Sequence, residues 1–145
     1  MLHRDNLEIH QREREGIAIL DLHGKLVMGK ADIALRDFVQ SIFDHANRQL
    51  ILNLAQISEI DTSGMESLLF LSEEYRDGGG KLVLFNIART HGKVYEMARL
   101  ETVVEIYRDE LDAINSFFPD RKVAHYDILD YVETHILHED KTNKT

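Results

Sequence analysis

Two short, almost wholly apolar runs, Leu50 to Leu54 and Lys81 to Phe85, stand on either side of a stretch with helical periodicity. Met65, Leu68, Leu69 and the stem of Tyr75 form one amphipathic stripe between them, and Gly78-Gly79-Gly80 closes it. Strand, helix and strand in that order predict a βαβ unit, whose two strands lie parallel in one sheet with the helix packed across it.

The rest of the chain extends that unit. Gly16 to Leu22 reads as a strand stopped at His23-Gly24, and Leu7 to His10 as an edge strand paired with it across a charged turn, Gln11 to Glu15. From residue 31 to 46, apolar side chains at 31, 35, 38, 39, 42, 43 and 46 share one helical face. A shorter helix is expected over about 89–99, a brief strand at 103–106 and a further helix over 109–118. The fold class predicted is α/β: a four- to five-stranded mixed, largely parallel sheet with helices packed against it, plus a C-terminal helical extension. Pro119, the one proline, marks the boundary between a domain at 1–118 and an extension at 119–145. Within the extension Ile128, Leu129, Val132 and Ile136 predict a helix over 125–138, packed on the sheet, before a disordered polar tail.

Composition narrows the classes of function. A net charge of −9 and a pI near 5.3 argue against nucleic acid, whose phosphates need a concentrated basic face. No run approaches the roughly 18 apolar residues that span a bilayer, so no membrane insertion is expected. The charged N-terminal residues, Arg4 and Asp5 followed by Arg12 to Glu15, do not resemble a secretory signal, and a cytoplasmic protein is expected. The absence of cysteine removes disulfides, thiolate nucleophiles and cysteine–zinc sites together.

Few constellations remain that carry chemistry. A phosphate-binding P-loop ending at Gly92-Lys93 fails, because Ile87 stands where its first glycine belongs and Val94 where it needs serine or threonine. The triple glycine at 78–80 follows a helix and precedes a strand, the place for a C-cap and turn rather than a phosphate cradle. No serine sits in a G-x-S-x-G elbow. His135 and His138 share a helix face, but without cysteine or an H-E-x-x-H pattern they read as solvated histidines, so no metal and no cofactor is expected.

One seam survives: Asp61-Thr62-Ser63-Gly64, where the strand beginning at Leu50 hands over to a helix. Ser63 with Glu66 three residues on forms a capping box, in which the hydroxyl bonds a free backbone N–H and the acid reaches back. A cap of that kind contributes about 0.5–2 kcal/mol. The same place also favours negative charge, because free N–H groups and the helix dipole converge there.

Residues 50–70 resemble the STAS domain, the module of bacterial anti-sigma factor antagonists. In that family a strand of the type hydrophobic-N/D-L leads to D-S/T-S/T-G, as Asn53-Leu54 and Asp61-Thr62-Ser63-Gly64 do here. Gly24-Lys25-Leu26 stands where the family shows G-E-L, and Gly79-Gly80-Lys81-Leu82-Val83-Leu84 and Leu100 to Ile106 are also similar. The resemblance covers about residues 5–118. It implies a phosphorylation-switched binding protein without catalytic activity. Unmodified, such a protein binds a serine kinase that doubles as an anti-sigma factor; phosphorylation at the helix start releases it, and a phosphatase restores it. On that resemblance Ser63 is the expected phosphoacceptor and Thr62 the alternate. Asp61 orients the turn, Asn53 supports the loop, and Gly64 and Glu66 complete the partner-facing motif. Glu66 departs from the glycine that many relatives carry. STAS domains also serve as scaffolds in lipid-transport and signalling complexes, which is the first alternative. A small serine hydrolase with Ser63 as nucleophile is the second, and it needs a histidine base within about 2.6–3.2 Å.

Overall fold

A computed structural model describes residues 7–44, 48–86 and 103–123. Its centre is one five-stranded sheet in the order β1-β2-β3-β4-β5, with the strands neighbouring in space as they do in sequence. The strands are β1 (Leu7–Arg14), β2 (Ile17–Leu26), β3 (Gln49–Ile60), β4 (Lys81–Phe85) and β5 (Glu105–Tyr107). Helix α1 (Lys30–Asp44) joins β2 to β3, α2 (Thr62–Asp77) joins β3 to β4, and α3 (Glu110–Asn115) follows β5. β1 pairs antiparallel with β2, and all other neighbours are parallel, so the sheet is mixed and largely parallel as expected.

Alternation along the strands explains the two packed faces. Ala18, Leu20 and Leu22 of β2 and Leu50, Leu52 and Leu54 of β3 point to the side where α1 and α2 lie, and meet Leu35, Val39, Leu68 and Leu71. Ile17, Ile19, Ile51, Val83 and Phe85 point the other way, against Ala113 and Ile114 of α3. A strand buried on both faces has no polar position to spare, which is why the central runs are continuously apolar.

Several boundaries differ from the sequence reading. β1 does not end at His10 but runs to Arg14, and the reversal is a two-residue loop, Glu15-Gly16, with both φ values positive. Such hairpin loops need φ > 0 at both positions, and glycine takes the second at no steric cost. β2 does not stop at His23-Gly24; its pairing with β3 shifts register there and continues to Leu26, so the glycine marks a bulge. β3 likewise passes Leu54 and runs to Ile60, because Ile57 and Ile60 are buried while Gln56, Ser58 and Glu59 stay exposed. Helix α3 is shorter than the expected 109–118, with turns following from residue 116, and the strand expected at 103–106 is paired only over 105–107. The helices expected over 89–99 and 125–138 and the polar tail lie outside the described residues.

The glycines after α2 close it as expected. Gly79 N donates to Arg76 O at 3.0 Å and Gly80 N to Tyr75 O at 2.7 Å, the paired bonds of a Schellman cap.

Candidate functional site

The extension of β2 and β3 beyond their expected ends carries the chain to one corner of the sheet. There Leu26 pairs with Ile60, so the β2–α1 connector and the start of α2 lie side by side. Asp61 ties them. Its Oδ1 accepts from Gly64 N at 2.8 Å, and its Oδ2 accepts from Met28 N at 2.9 Å. Asp61 N donates in turn to Leu26 O at 3.3 Å. One carboxylate therefore caps α2 and pins the loop that leads into α1.

Asp61, and not Ser63, is the N-cap, which corrects the capping-box reading. With Asp61 at N-cap the box acid would have to stand at Gly64, whereas Glu66 lies two positions further on and is exposed. Aspartate and serine are nearly equal caps, so local preference cannot choose between residues 61 and 63. The strand pairing of Leu26 with Ile60 chooses, because it fixes where β3 ends. Gly64 is required by space. A Cβ there would lie 2.2 Å from Leu26 O and 3.0 Å from both Ile60 Cγ1 and Leu26 Cγ, the first being backbone that has little room to retreat.

Freed from capping, the Ser63 hydroxyl turns across the α1–α2 interface and donates to Asp32 Oδ2 at 3.0 Å. Asp32 is 8% exposed and sits on the buried side of α1. Its other oxygen accepts a short bond from the fully buried Ser67 hydroxyl and lies 3.7 Å from Arg36 Nε, one turn along α1. Arg36 Nε also donates to Ser67 Oγ at 2.8 Å, and its guanidinium lies over the Phe70 ring, 5.0 Å from the centroid. Ser63, Asp32, Ser67, Arg36 and Phe70 thus form one connected chain of contacts across the two helices.

Ser63 is itself half-buried, and Thr62 beside it is exposed. Two large apolar side chains are exposed on the segments that meet at this corner. Met28 is 75% exposed and Ile33, next to Asp32, is 58% exposed. Both are held by backbone bonds, Met28 N to Asp61 and Ile33 N to Gly29 O at 3.1 Å.

The opposite face of the sheet carries a second polar cluster. Arg12 of β1 is bonded to Asp21 of β2 at 2.7 and 3.1 Å and to Glu110 of α3, and Arg14 reaches Glu110 at 2.6 Å. Asn53 Nδ2 donates to Asp21 Oδ1 at 2.7 Å, and Asn53 Oδ1 accepts from Ala55 N at 3.0 Å. Asn53 therefore braces the β2–β3 bulge and this cluster, and the structure does not bring it to the Asp61–Gly64 loop. The Glu110 bond, then the Asp21 bond, hold the Arg12 guanidinium more firmly protonated than usual. Burial pushes the Asp21 carboxyl up, but the bonds from Arg12 and Asn53 outweigh it and leave its pKa below the ordinary value. Arg12 and Arg14 likewise hold the Glu110 carboxyl low against its burial.

This arrangement of sheet and helices has counterparts among known proteins. The sequence profile of the STAS domain matches residues 8–113. The chain belongs to the STAS domain family. An anti-sigma F factor antagonist from Paenibacillus polymyxa is 22% identical over 109 residues, covering 75% of this chain and 93% of that protein. Among solved structures, an anti-sigma factor antagonist from Mycobacterium paratuberculosis superposes with a TM-score of 0.65 at 13% identity, over 80% of this chain and 97% of its own. The Bacillus cell fate determinant SpoIIAA, solved in its phosphorylated form, does so with a TM-score of 0.57 at 22% identity, over 76% of this chain and 99% of its own.

In this STAS domain the sequence reading located Asp61, Thr62, Ser63 and Gly64, which the fold keeps together, but missed Asp32, Ser67 and Arg36. A signal for Asp32 existed: an acid on the same helical stripe as Leu35 and Val39, where a buried carboxylate must find a partner. The partner lies 31 residues away along the chain, and no local pattern names it. The hydrolase alternative meets an aspartate at Ser63 where it needs a histidine. The described histidines His10 and His23 pack on each other, 5.3 Å between ring centroids, on β1 and β2. The histidines at 135 and 138 lie outside the described residues, and among the described residues no helix is long and apolar enough to cross a membrane.

Proposed function

We propose that this STAS domain is an anti-sigma factor antagonist of the cytoplasm, switched by phosphorylation of Ser63 and without catalytic activity of its own. Unmodified, it binds an anti-sigma factor that is also a serine kinase; phosphorylation at Ser63 ends that association, and a phosphatase restores it. Thr62 is the alternate acceptor. The observation that carries this reading is the Ser63 hydroxyl itself. It is half-exposed at the second position of α2, is not used as the cap, and shares its corner with the exposed apolar side chains Met28, whose N bonds Asp61, and Ile33, next to Asp32. An apolar patch of that kind fits a protein partner.

Phosphate at this position acts in two directions. Near the N-terminus of a long helix its charge of roughly −1.5 to −2 is tolerated, so the fold survives modification. Outward, with Glu66 exposed on the same helix, it turns a neutral contact surface strongly anionic, and a partner fitted to a hydroxyl is repelled. The test is incubation of the protein with a candidate serine kinase and ATP, followed by mapping of the phosphate by mass spectrometry. Phosphate on Ser63, absent from Ser63→Ala, is the expected result. Phosphate confined to other residues overturns the assignment.

A further inference from the structure

We propose that Arg36 is the residue that reads the state of Ser63, and that it does so by leaving the face of Phe70. This rests on Ser63 being the switch, and it names how a change at that hydroxyl reaches the surface.

In the unmodified chain the contacts are balanced. Asp32 contributes one negative charge and Arg36 one positive charge, and two hydroxyls, Ser63 and Ser67, donate to the carboxylate. Arg36 is held over the Phe70 ring while its Nε bonds Ser67 and faces Asp32. Phe70 is 39% exposed even so, and the guanidinium covers part of the remainder.

A phosphoester oxygen cannot donate. The Ser63–Asp32 bond, 3.0 Å with a proton between, becomes two acceptors facing one another, and a dianion stands beside a buried carboxylate. The serine must turn its phosphate away from Asp32. Among the described residues Arg36 is the cation bonded into this site: its Nε already touches Ser67, one helical turn from Ser63 on the same face of α2. A guanidinium prefers a phosphate, which it can grip with two parallel bonds, over a shared carboxylate and a ring. Its departure uncovers Phe70 and breaks the Arg36–Phe70 contact. The modification is thereby converted from a charge at one point into a change of shape two turns along α2.

The experiment needs no kinase. Phosphoserine is placed at position 63 of the full chain during translation, and the chain, which has no tryptophan, is given one by Phe70→Trp. Because arginine also stacks on indole, acrylamide quenching of this residue reports whether Arg36 covers it, and phosphorylation is expected to raise the quenching constant about twofold. Arg36→Gln in the unmodified chain is expected to show that raised value already and to change no further on phosphorylation. In parallel, the phosphorus resonance of the phosphoserine is titrated. Its second pKa, ordinarily near 6, is expected to rise by about half a unit when Arg36→Gln removes the cation, and Arg36→Lys is expected to recover part of that shift. A merely structural role for Arg36 would not move the phosphate titration. If quenching at position 70 is unchanged by phosphorylation, or the titration is the same with and without Arg36, the proposal is wrong. A kinase that leaves Ser63 unmodified would instead sink the proposed function while leaving both readouts intact.

Discussion

Two polar clusters cross this molecule on opposite faces of the sheet, and they are built to opposite ends. Around Arg12, two arginines meet two carboxylates, and Asn53 adds a further donor, so Arg12, Asp21 and Glu110 each have two partners. Around Asp32, one carboxylate is shared by one arginine and two hydroxyls, and one of those hydroxyls opens to the surface. The first cluster ties β1, β2 and α3 together and loses little if one bond is disturbed. The second depends on the chemical state of Ser63, since a single added phosphate turns its balanced charge to a net of about −1.5 to −2. Four charges of opposite sign bonded to one another make a brace, whereas one carboxylate under a part-exposed hydroxyl makes a place that responds.

The largest effect is expected where the responsive corner is rigid. Gly64→Ala forces a methyl group against the Leu26 carbonyl, and overpacking against backbone should cost about 3 kcal/mol, read as a lower urea midpoint. An unchanged midpoint would show that this corner can yield, and the contrast with the brace would weaken. Next comes Arg12→Met, which leaves Asp21 and Glu110 without their shared cation. Because Arg12 is itself 39% exposed, solvent screens part of the loss, and about 1–2 kcal/mol is expected by the same measurement.

The pH dependence of the two clusters separates them further. Asp21 and Glu110 have folded pKa values below their ordinary 3.8 and 4.5, so the unfolded chain binds their protons first. Their contribution is complete above those ordinary values and is lost as pH falls below them through the folded ones. Arg12→Met should therefore flatten the acid limb of the stability curve below about pH 4.5 while leaving its neutral plateau lower. An acid limb of the same steepness in both proteins would remove the brace from the account. The smallest effect is Ser63→Ala. Asp32 keeps Ser67 and Arg36, so the loss should be about 0.5–1 kcal/mol, well under that of Arg12→Met.

Elements with a strong local signature were legible in the sequence. The apolar runs at 50–54 and 81–85, the stripe from Met65 to Tyr75 and the glycine closure at 78–80 all stand where periodicity places them. What escaped depends on pairing between distant residues. β3 runs on to Ile60 because β2 is there to pair with it through a bulge, and a polar stretch such as Gln56 to Glu59 carries no sign of that. The same pairing decides between two good caps, Asp61 and Ser63, and so decides that Ser63 is free for another role. Asp32 completes the site from another helix, which is why the motif at 61–64 was visible and the residue beneath it was not.

The central claim is that the Ser63 hydroxyl, seated on Asp32, sets whether a partner binds. It is tested most directly by calorimetric titration of a candidate serine kinase that binds the unmodified chain, with that chain and with the chain carrying phosphoserine at 63. Juxtaposed like charges cost several kcal/mol, so phosphorylation is expected to weaken binding by roughly a hundredfold or more. Equal affinities for the two forms would contradict the account.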